Sequence, residues 1–332
     1  MNIKIKAIEY YHPESIYSND YFINHFNKLG INIDGLLKTT GRDKRYLSDN
    51  PEENTLTMAI KAAKKVVQAS NIDKDKIDLI VSVATTPEYL SPTCAMKIHN
   101  ELKLSKRCVA YDLNANCTGL IIALDQVART MKSNKRIRYA LVVGADQLFR
   151  NADPNDALTY TNFAESGCAL LLENTENDLS DYIDNSTFSF NKFSKYITFP
   201  EKGLSNTLAK EEPLTLNEKK IHYDDFDSTE AFNSCVDSVY ELLDRNHLEK
   251  NDIKLYCLSQ FAKSNIDAIR EALQEPEEKF PFVGDKFGYT GLTSPFLALK
   301  HAIDNNLIQR GDYIILWTVV AGVVASGCLI RY

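Results

Sequence analysis

The chain has 332 residues, 44% of them hydrophobic and 25% charged, with a net charge of −7 and a pI near 5.5. That length exceeds one small core and suits a large α/β unit or two fused halves, while the acidic balance argues against a nucleic-acid binder, which carries a basic face. Seven cysteines (Cys94, Cys108, Cys117, Cys168, Cys235, Cys257 and Cys328) include no CxxC pair, which argues against a zinc or disulfide framework and fits a reducing cytoplasm.

The opening MNIKIKAIEYYHP alternates apolar and charged residues and lacks a signal peptide's continuous apolar core. An amphipathic helix is expected at 57–69, TMAIKAAKKVVQA, capped by Pro51-Glu52-Glu53-Asn54. A buried strand, IDLIVSVA from Ile77, leads through a Pro-marked loop to the helix-like CAMKIHNEL. The next strand ends at Tyr111-Asp112-Leu113, and a helix starts near Thr118 with LIIALDQVARTM. Strand RYALVVGADQ (138–147) and the run Ser166-Gly167-Cys168-Ala-Leu-Leu-Leu complete this half. Residues 175–228 are polar and irregular, and are expected to form a seam with a covering loop. The apolar stretch 313–330 is long enough to cross a membrane, but it is rich in β-branched residues and broken by Ala321-Gly322 and Ser326-Gly327. It reads as two buried strands.

The second half answers the first. IDLIVSVA is matched by IKLYCLSQ from Ile253, Thr118-Gly119-Leu120 by Thr290-Gly291-Leu292, and RYALVVGADQ by DYIILWTVVA, all offset by about 172 to 176 residues. Ser166-Gly167-Cys168 is matched by Ser326-Gly327-Cys328. The implied domains are 1–174 and 175–332, related by a pseudo-twofold axis, with mostly parallel sheets covered by helices.

Cys117 sits where a strand gives way to a helix, and there free N–H groups and the helix dipole favour a thiolate. Such a thiolate attacks a thioester carbonyl and holds the acyl group covalently. The competing reading, that Cys117 is one more small core hydrophobe, is the default for the other six cysteines. Tyr289 precedes the mirror-related Thr290-Gly291-Leu292, so the two helix starts are expected to face one pocket.

Several segments together resemble the β-ketoacyl-acyl-carrier-protein synthase III branch of the thiolase superfamily. Thr40-Gly41-Arg42-Asp43-Lys44-Arg45 is similar to that family's TGIxxR, and 112–119 (DLNANCTG) to its DxxxxCxG. Residues 139–146 (YALVVGAD) resemble YALVVGxD, Phe163-Ala164-Glu165-Ser166-Gly167 resembles FGDGA, and Ile330-Arg331-Tyr332 resembles the VRF ending. The resemblance implies a thiolase fold of two βαβα halves in an αβαβα layering. It also implies an acyl-enzyme on Cys117, loaded from acyl-CoA or from the phosphopantetheine of an acyl carrier protein, with no bound cofactor or metal. The oxyanion hole it implies is made by the backbone N–H of Cys117 and of the 320–322 turn, taken at Gly322. Where the family has HQAN and HGNT, this chain has Ser259-Gln260-Phe261-Ala262 and Phe287-Gly288-Tyr289-Thr290, so both helpers of malonyl decarboxylation are replaced. None of the six histidines stands in an obvious replacement stretch, and His222 is the one to check.

The resemblance further marks Arg150 as a donor contact, with Gln260 and Lys263 near the pocket. Lys263 and Arg270 would attract an acidic carrier protein. The family's adenine-stacking tryptophan aligns near Gly35, and the single Trp317 lies in a buried strand. Three functions fit: a divergent condensing enzyme, an acyltransferase, or a partner subunit of a heteromeric ketosynthase. A homodimer or a heterodimer with a related synthase, a cytoplasmic location, no nucleic acid and no membrane span complete the expectation.

Overall fold

The computed structural model describes residues 2–176, 179–209, 215, 217–320 and 322–332. Ala321 of the expected oxyanion turn lies outside the described residues, as do parts of the expected seam.

Two sheets form the frame. The first contains β1 (Asn2–Tyr11), β2 (Ile77–Val83), β3 (Val109–Leu113), β4 (Tyr139–Gln147) and β5 (Glu165–Thr175) in the order β1-β5-β4-β2-β3. The second contains β6 (Tyr182–Ser189), β7 (Ile253–Leu258), β8 (Tyr313–Val320) and β9 (Val324–Arg331) in the order β7-β8-β9-β6. Read from the other edge, β6-β9-β8-β7 repeats β1-β5-β4-β2 in order and in pairing sense, as the duplication predicts.

The sheets are mixed rather than mostly parallel. β2 runs parallel to β3 and β4, but β5 turns back antiparallel to both β4 and β1. In the second sheet the cause is visible in the apolar stretch 313–330, where β8 and β9 pair from Tyr313↔Arg331 to Val320↔Val324 as a hairpin. A short hairpin connection can only join antiparallel strands. No helix among the described residues is long and apolar enough to cross a membrane.

Helices α1 (Thr55–Ser70) and α2 (Cys94–Leu102) cover the outer face of the first sheet. Helices α3 (Gly119–Ser133) and α6 (Ser294–Asp304) fill the space between the sheets. Helices α4 (Thr229–Asn246) and α5 (Lys263–Leu273) cover the far face of the second. Alternate residues of a strand therefore enter different cores: Ala140 and Val142 face α3, while Leu141, Val143 and Ala145 face α1. Both faces of the central strands are dry, so these strands read as continuous apolar runs. Trp317 is fully buried in β8, facing the α4 and α5 layer.

The cap of α1 falls where expected. Asn54 Oδ1 accepts from Thr57 N at 3.0 Å, and Thr57 Oγ1 accepts from Asn54 N at 2.8 Å, an arrangement worth about 1 kcal/mol. β6 lies inside the expected seam. Tyr182 and Ser186 are buried while neighbouring polar residues face outward, which is why the sequence hides this edge strand.

The α1 layer leaves no room over β5. A Cβ on Gly167 would lie 2.7 Å from Met58 O, a backbone atom that cannot swing aside. Gly167→Ala is expected to cost about 1–3 kcal/mol of stability by overpacking, read as a lower urea midpoint with unchanged slope.

Candidate active site

β3 ends at Leu113, and the chain turns through Asn116 at φ 50° into a 3₁₀ turn, Asn116–Thr118, that runs into α3. Asn114 Oδ1 accepts from Asn116 N at 3.0 Å, and Thr118 Oγ1 donates to Ala115 O at 2.7 Å, so the turn is held by its own side chains. A Cβ on Gly119 would meet Val83 Cγ1 at 2.5 Å, so only glycine lets the helix start press against β2. The mirror-related 3₁₀ turn, Gly291–Thr293, precedes α6, and its Gly291 has φ +62°.

The two junctions meet as the duplication predicts. Cys117 and Tyr289 pack in one cluster with Leu148, Phe163 and Ile221, and Tyr289 favours the ionised form of the Cys117 sulfur. Tyr289 is pinned from both sides by backbone bonds, Tyr289 N to Asn162 O and Ala164 N to Tyr289 O, each 2.8 Å. Its ring meets Phe261 edge-on at 5.1 Å.

Cys117 opens on a cavity of about 680 Å³ with mainly apolar walls. Leu148, Leu158, Phe163, Phe261 and Val319 contribute from the two halves, and Ile197, Phe199 and Phe226 come from the expected covering segment. Gly322, at φ +101°, is on the wall beside Val320.

The electrostatics of this wall correct one expectation. Burial and the carboxylate of Asp146 push the Cys117 thiol up to about 12, against lowering contacts from Tyr289, its own backbone N–H and Thr85. The apolar cavity penalises the charged form and so opposes the thiolate that the helix start favours. Asp146 itself is fully buried and is raised to about 6 by desolvation, despite bonds from Thr85, Thr86 and Leu292. Tyr289 is raised well above its ordinary value by burial and by Cys117.

The remaining expected site residues are scattered. Ser259 is buried, its hydroxyl has no hydrogen-bond partner among the described residues, and it is not on the cavity wall. Gln260 is turned inward, so substrate contact there is not met. Its Nε2 donates to Leu258 O and Pro281 O, and its Oε1 accepts from Val283 N and Gly284 N. Lys263 pairs with Asp267 and with Glu277 at 3.6 Å, and it does not line the cavity. Arg270 pairs with Glu271 at 3.3 Å, so much of the charge expected to attract a carrier protein is locally compensated. Arg150 is exposed outside the cavity, donating to Glu53 O at 3.1 Å, and Lys220 Nζ donates to Arg150 O. His222 Nε2 faces Asp224 at 3.1 Å, and no histidine is among the described residues of the cavity wall. No cluster of three metal-binding side chains occurs among the described residues.

Sequence reasoning did not single out Thr85, Asp146, Phe163 or Phe261 as site residues. Asp146 carried a signal, an acidic residue at the end of an otherwise apolar strand. Thr85 carried none beyond following such a strand.

Residues 111–189 match the family described as 3-oxoacyl-[acyl-carrier-protein (ACP)] synthase III, and residues 243–332 match its C-terminal part. The Beta-ketoacyl-[acyl-carrier-protein] synthase III of Wolbachia pipientis wMel is 31% identical over 293 residues, 88% of each chain. Its namesake in Clostridium novyi (strain NT) is 28% identical over 337 residues, covering 100% of this chain and 99% of that one. The crystal structure of 3-oxoacyl-[acyl-carrier-protein] synthase III from Aquifex aeolicus VF5 superposes with a TM-score of 0.86 at 25% identity, covering 99% of this chain and 100% of that one.

The raised thiol has a direct readout. The difference in absorbance at 240 nm between the protein and Cys117→Ala is expected to show no thiolate from pH 6 to 9, since a group at about 12 loses its proton only above that range. A thiolate signal near pH 7 would mean that the helix start outweighs burial.

Proposed function

Because the chain belongs to the 3-oxoacyl-[acyl-carrier-protein] synthase III family, we propose that Cys117 takes an acyl group from a thioester donor and passes it on, in fatty-acid-like or specialised-metabolite biosynthesis. The observation that carries this reading is the position of Cys117, at the start of a 15-residue helix and on the wall of a mainly apolar cavity. Apolar walls accept an alkyl chain with a gain of about 0.8 kcal/mol per buried CH₂.

The donor is acyl-CoA or an acyl carrier protein. Arg150 is exposed next to Lys220, whose ammonium is lowered by burial and by the Arg150 charge. That pair of cations supports an anionic donor better than Lys263 does. In the oxyanion hole, the backbone N–H of Cys117 and of the turn at Gly322 would stabilise the tetrahedral intermediate.

The second half-reaction is altered at Ser259 and Tyr289, which stand where the resemblance expects histidine and asparagine. Tyr289 offers a hydrogen bond to developing negative charge, but neither residue is a base near neutral pH. Loss of each usual donor costs about 10²–10³ in rate, so acyl loading survives better than malonyl decarboxylation. Transfer to another nucleophile, or condensation with a partner that needs little help, follows from this asymmetry.

The edge strand β3 exposes Val109 and Tyr111. An apolar exposed edge favours pairing with another chain, which supports a dimer built across β3. Sedimentation equilibrium is expected to give twice the chain mass, and a monomer at micromolar concentration would remove this part.

Incubation with acyl-CoAs and acyl carrier proteins, with and without a malonyl thioester, tests the main reading by the mass of the Cys117 peptide. Acylation independent of malonyl thioester, lost in Cys117→Ala, is expected. No adduct from any donor would overturn it, and rapid turnover to a β-keto product would restore ordinary condensation.

A further inference from the structure

This inference rests on Cys117 being the acyl-accepting nucleophile. A thiol that attacks a carbonyl must lose its proton, and no histidine among the described residues lines the cavity to take it. The groups that favour the ionised sulfur are Tyr289, the backbone N–H of Cys117 and Thr85. Of these, Thr85 leads to a carboxylate.

We propose that Thr85 and Asp146 form a proton relay for Cys117, with Thr85 as a catalytic residue at the sulfur and Asp146 as the acceptor acting through it. Thr85 lies just beyond the end of β2 and is on the cavity wall. It shares that wall with Cys117 and favours the ionised sulfur, and its Oγ1 donates to Asp146 Oδ2 at 2.9 Å. With that hydrogen committed to Asp146, the Oγ1 lone pairs are free to accept the thiol proton.

Asp146 cannot turn away. Its Oδ1 accepts from Thr85 N at 2.7 Å and from Thr86 N at 3.1 Å, which fixes the plane of the carboxylate and aims Oδ2 at Thr85. A Cβ at Gly291 would lie 2.8 Å from Oδ2, so the mirror-related turn closes the remaining side. The titratable groups that sense Asp146 are Cys117 and Tyr289.

In the loading step, the Cys117 sulfur forms a bond to the thioester carbon. Its proton passes to Thr85 Oγ1, and the Thr85 hydroxyl proton passes to Asp146 Oδ2. Collapse of the tetrahedral intermediate breaks the bond to the departing thiolate. The proton then returns from Asp146 through Thr85 to that thiolate, leaving acyl-Cys117, a free thiol and an ionised Asp146.

The protonation behaviour of the site agrees with this route. Burial lifts Asp146 to about 6, so it is ionised at pH 7 yet basic enough to accept a proton, the poise expected of a general base. Cys117 is held at about 12, so its proton must leave during the attack rather than before it.

The test is the pre-steady-state burst of p-nitrophenolate from p-nitrophenyl hexanoate, with the Cys117 adduct confirmed by intact mass. It is run on the full chain and on Thr85→Val, Thr85→Ser and Asp146→Asn. Thr85→Val and Asp146→Asn are expected to slow the burst by about 10²–10³-fold at pH 7, while Thr85→Ser, which restores the hydroxyl, recovers most of the rate. In the wild type the burst rate rises with pH through about 6 and then levels, as Asp146 ionises. Asp146→Asn lacks that limb, which a merely structural role would leave in place. If Asp146→Asn fails to fold, the Thr85→Val and Thr85→Ser pair decides the matter. A folded Thr85→Val protein that matches the wild type in rate and keeps the limb overturns the relay, as does a wild type with no burst. A wild type that bursts with the ester but accepts no acyl group from any thioester overturns the proposed function while the relay is still read.

Discussion

One buried carboxylate holds the two halves of this molecule in working register. Asp146 ends β4 of the first sheet and accepts hydrogen bonds from Thr85 and Thr86 after β2, and from the backbone of Leu292 at the start of α6 in the second half. A carboxylate without water is costly unless its lone pairs are filled. The cheapest arrangement is therefore the one in which the β2 loop and the mirror-related helix start both close on it. That closure brings Tyr289 over Cys117, and Gly291 is the residue that permits it.

A second buried charge performs the same task at the opposite wall. Arg42 is almost fully buried and lowered to about 9 by desolvation and by neighbouring Arg45. Its Nε donates to Asn162 Oδ1 at 2.7 Å, and its Nη2 donates to Gln260 O at 2.5 Å and Phe261 O at 2.7 Å. Asn162 Nδ2 also donates to Phe261 O at 2.9 Å, so a residue of the first half fixes the aromatic wall contributed by the second. The rigidity of Phe261 and Tyr289 is bought with a guanidinium and a carboxylate taken out of water.

The same burial sets the chemistry. A cavity dry enough to receive an alkyl chain is also one that disfavours a thiolate. The Cys117 thiol and the Asp146 carboxylate are both displaced upward for this reason, and Asp146 raises Cys117 further. In the proposed loading step, storage of the proton is separated from its removal: Cys117 rests neutral, and Asp146 waits ionised one hydroxyl away.

The sequence by itself determined the repeat, the strand-to-helix position of Cys117, the capped helix after Asn54 and the two buried strands of 313–330. Each follows from local pattern, because hydrophobic period, glycine placement and capping residues act over a few neighbours. Tertiary structure alone decided the rest. It turned Gln260 inward to serve four backbone groups, placed Arg150 outside the cavity, and made the sheets mixed. Thr85 became a neighbour of Cys117 because β2 and β3 pair side by side, bringing their ends together across more than thirty residues of chain. The environment of Cys117 was set there too: the helix start visible in the sequence favours charge, but the surrounding walls, set by contacts between the two halves, oppose it.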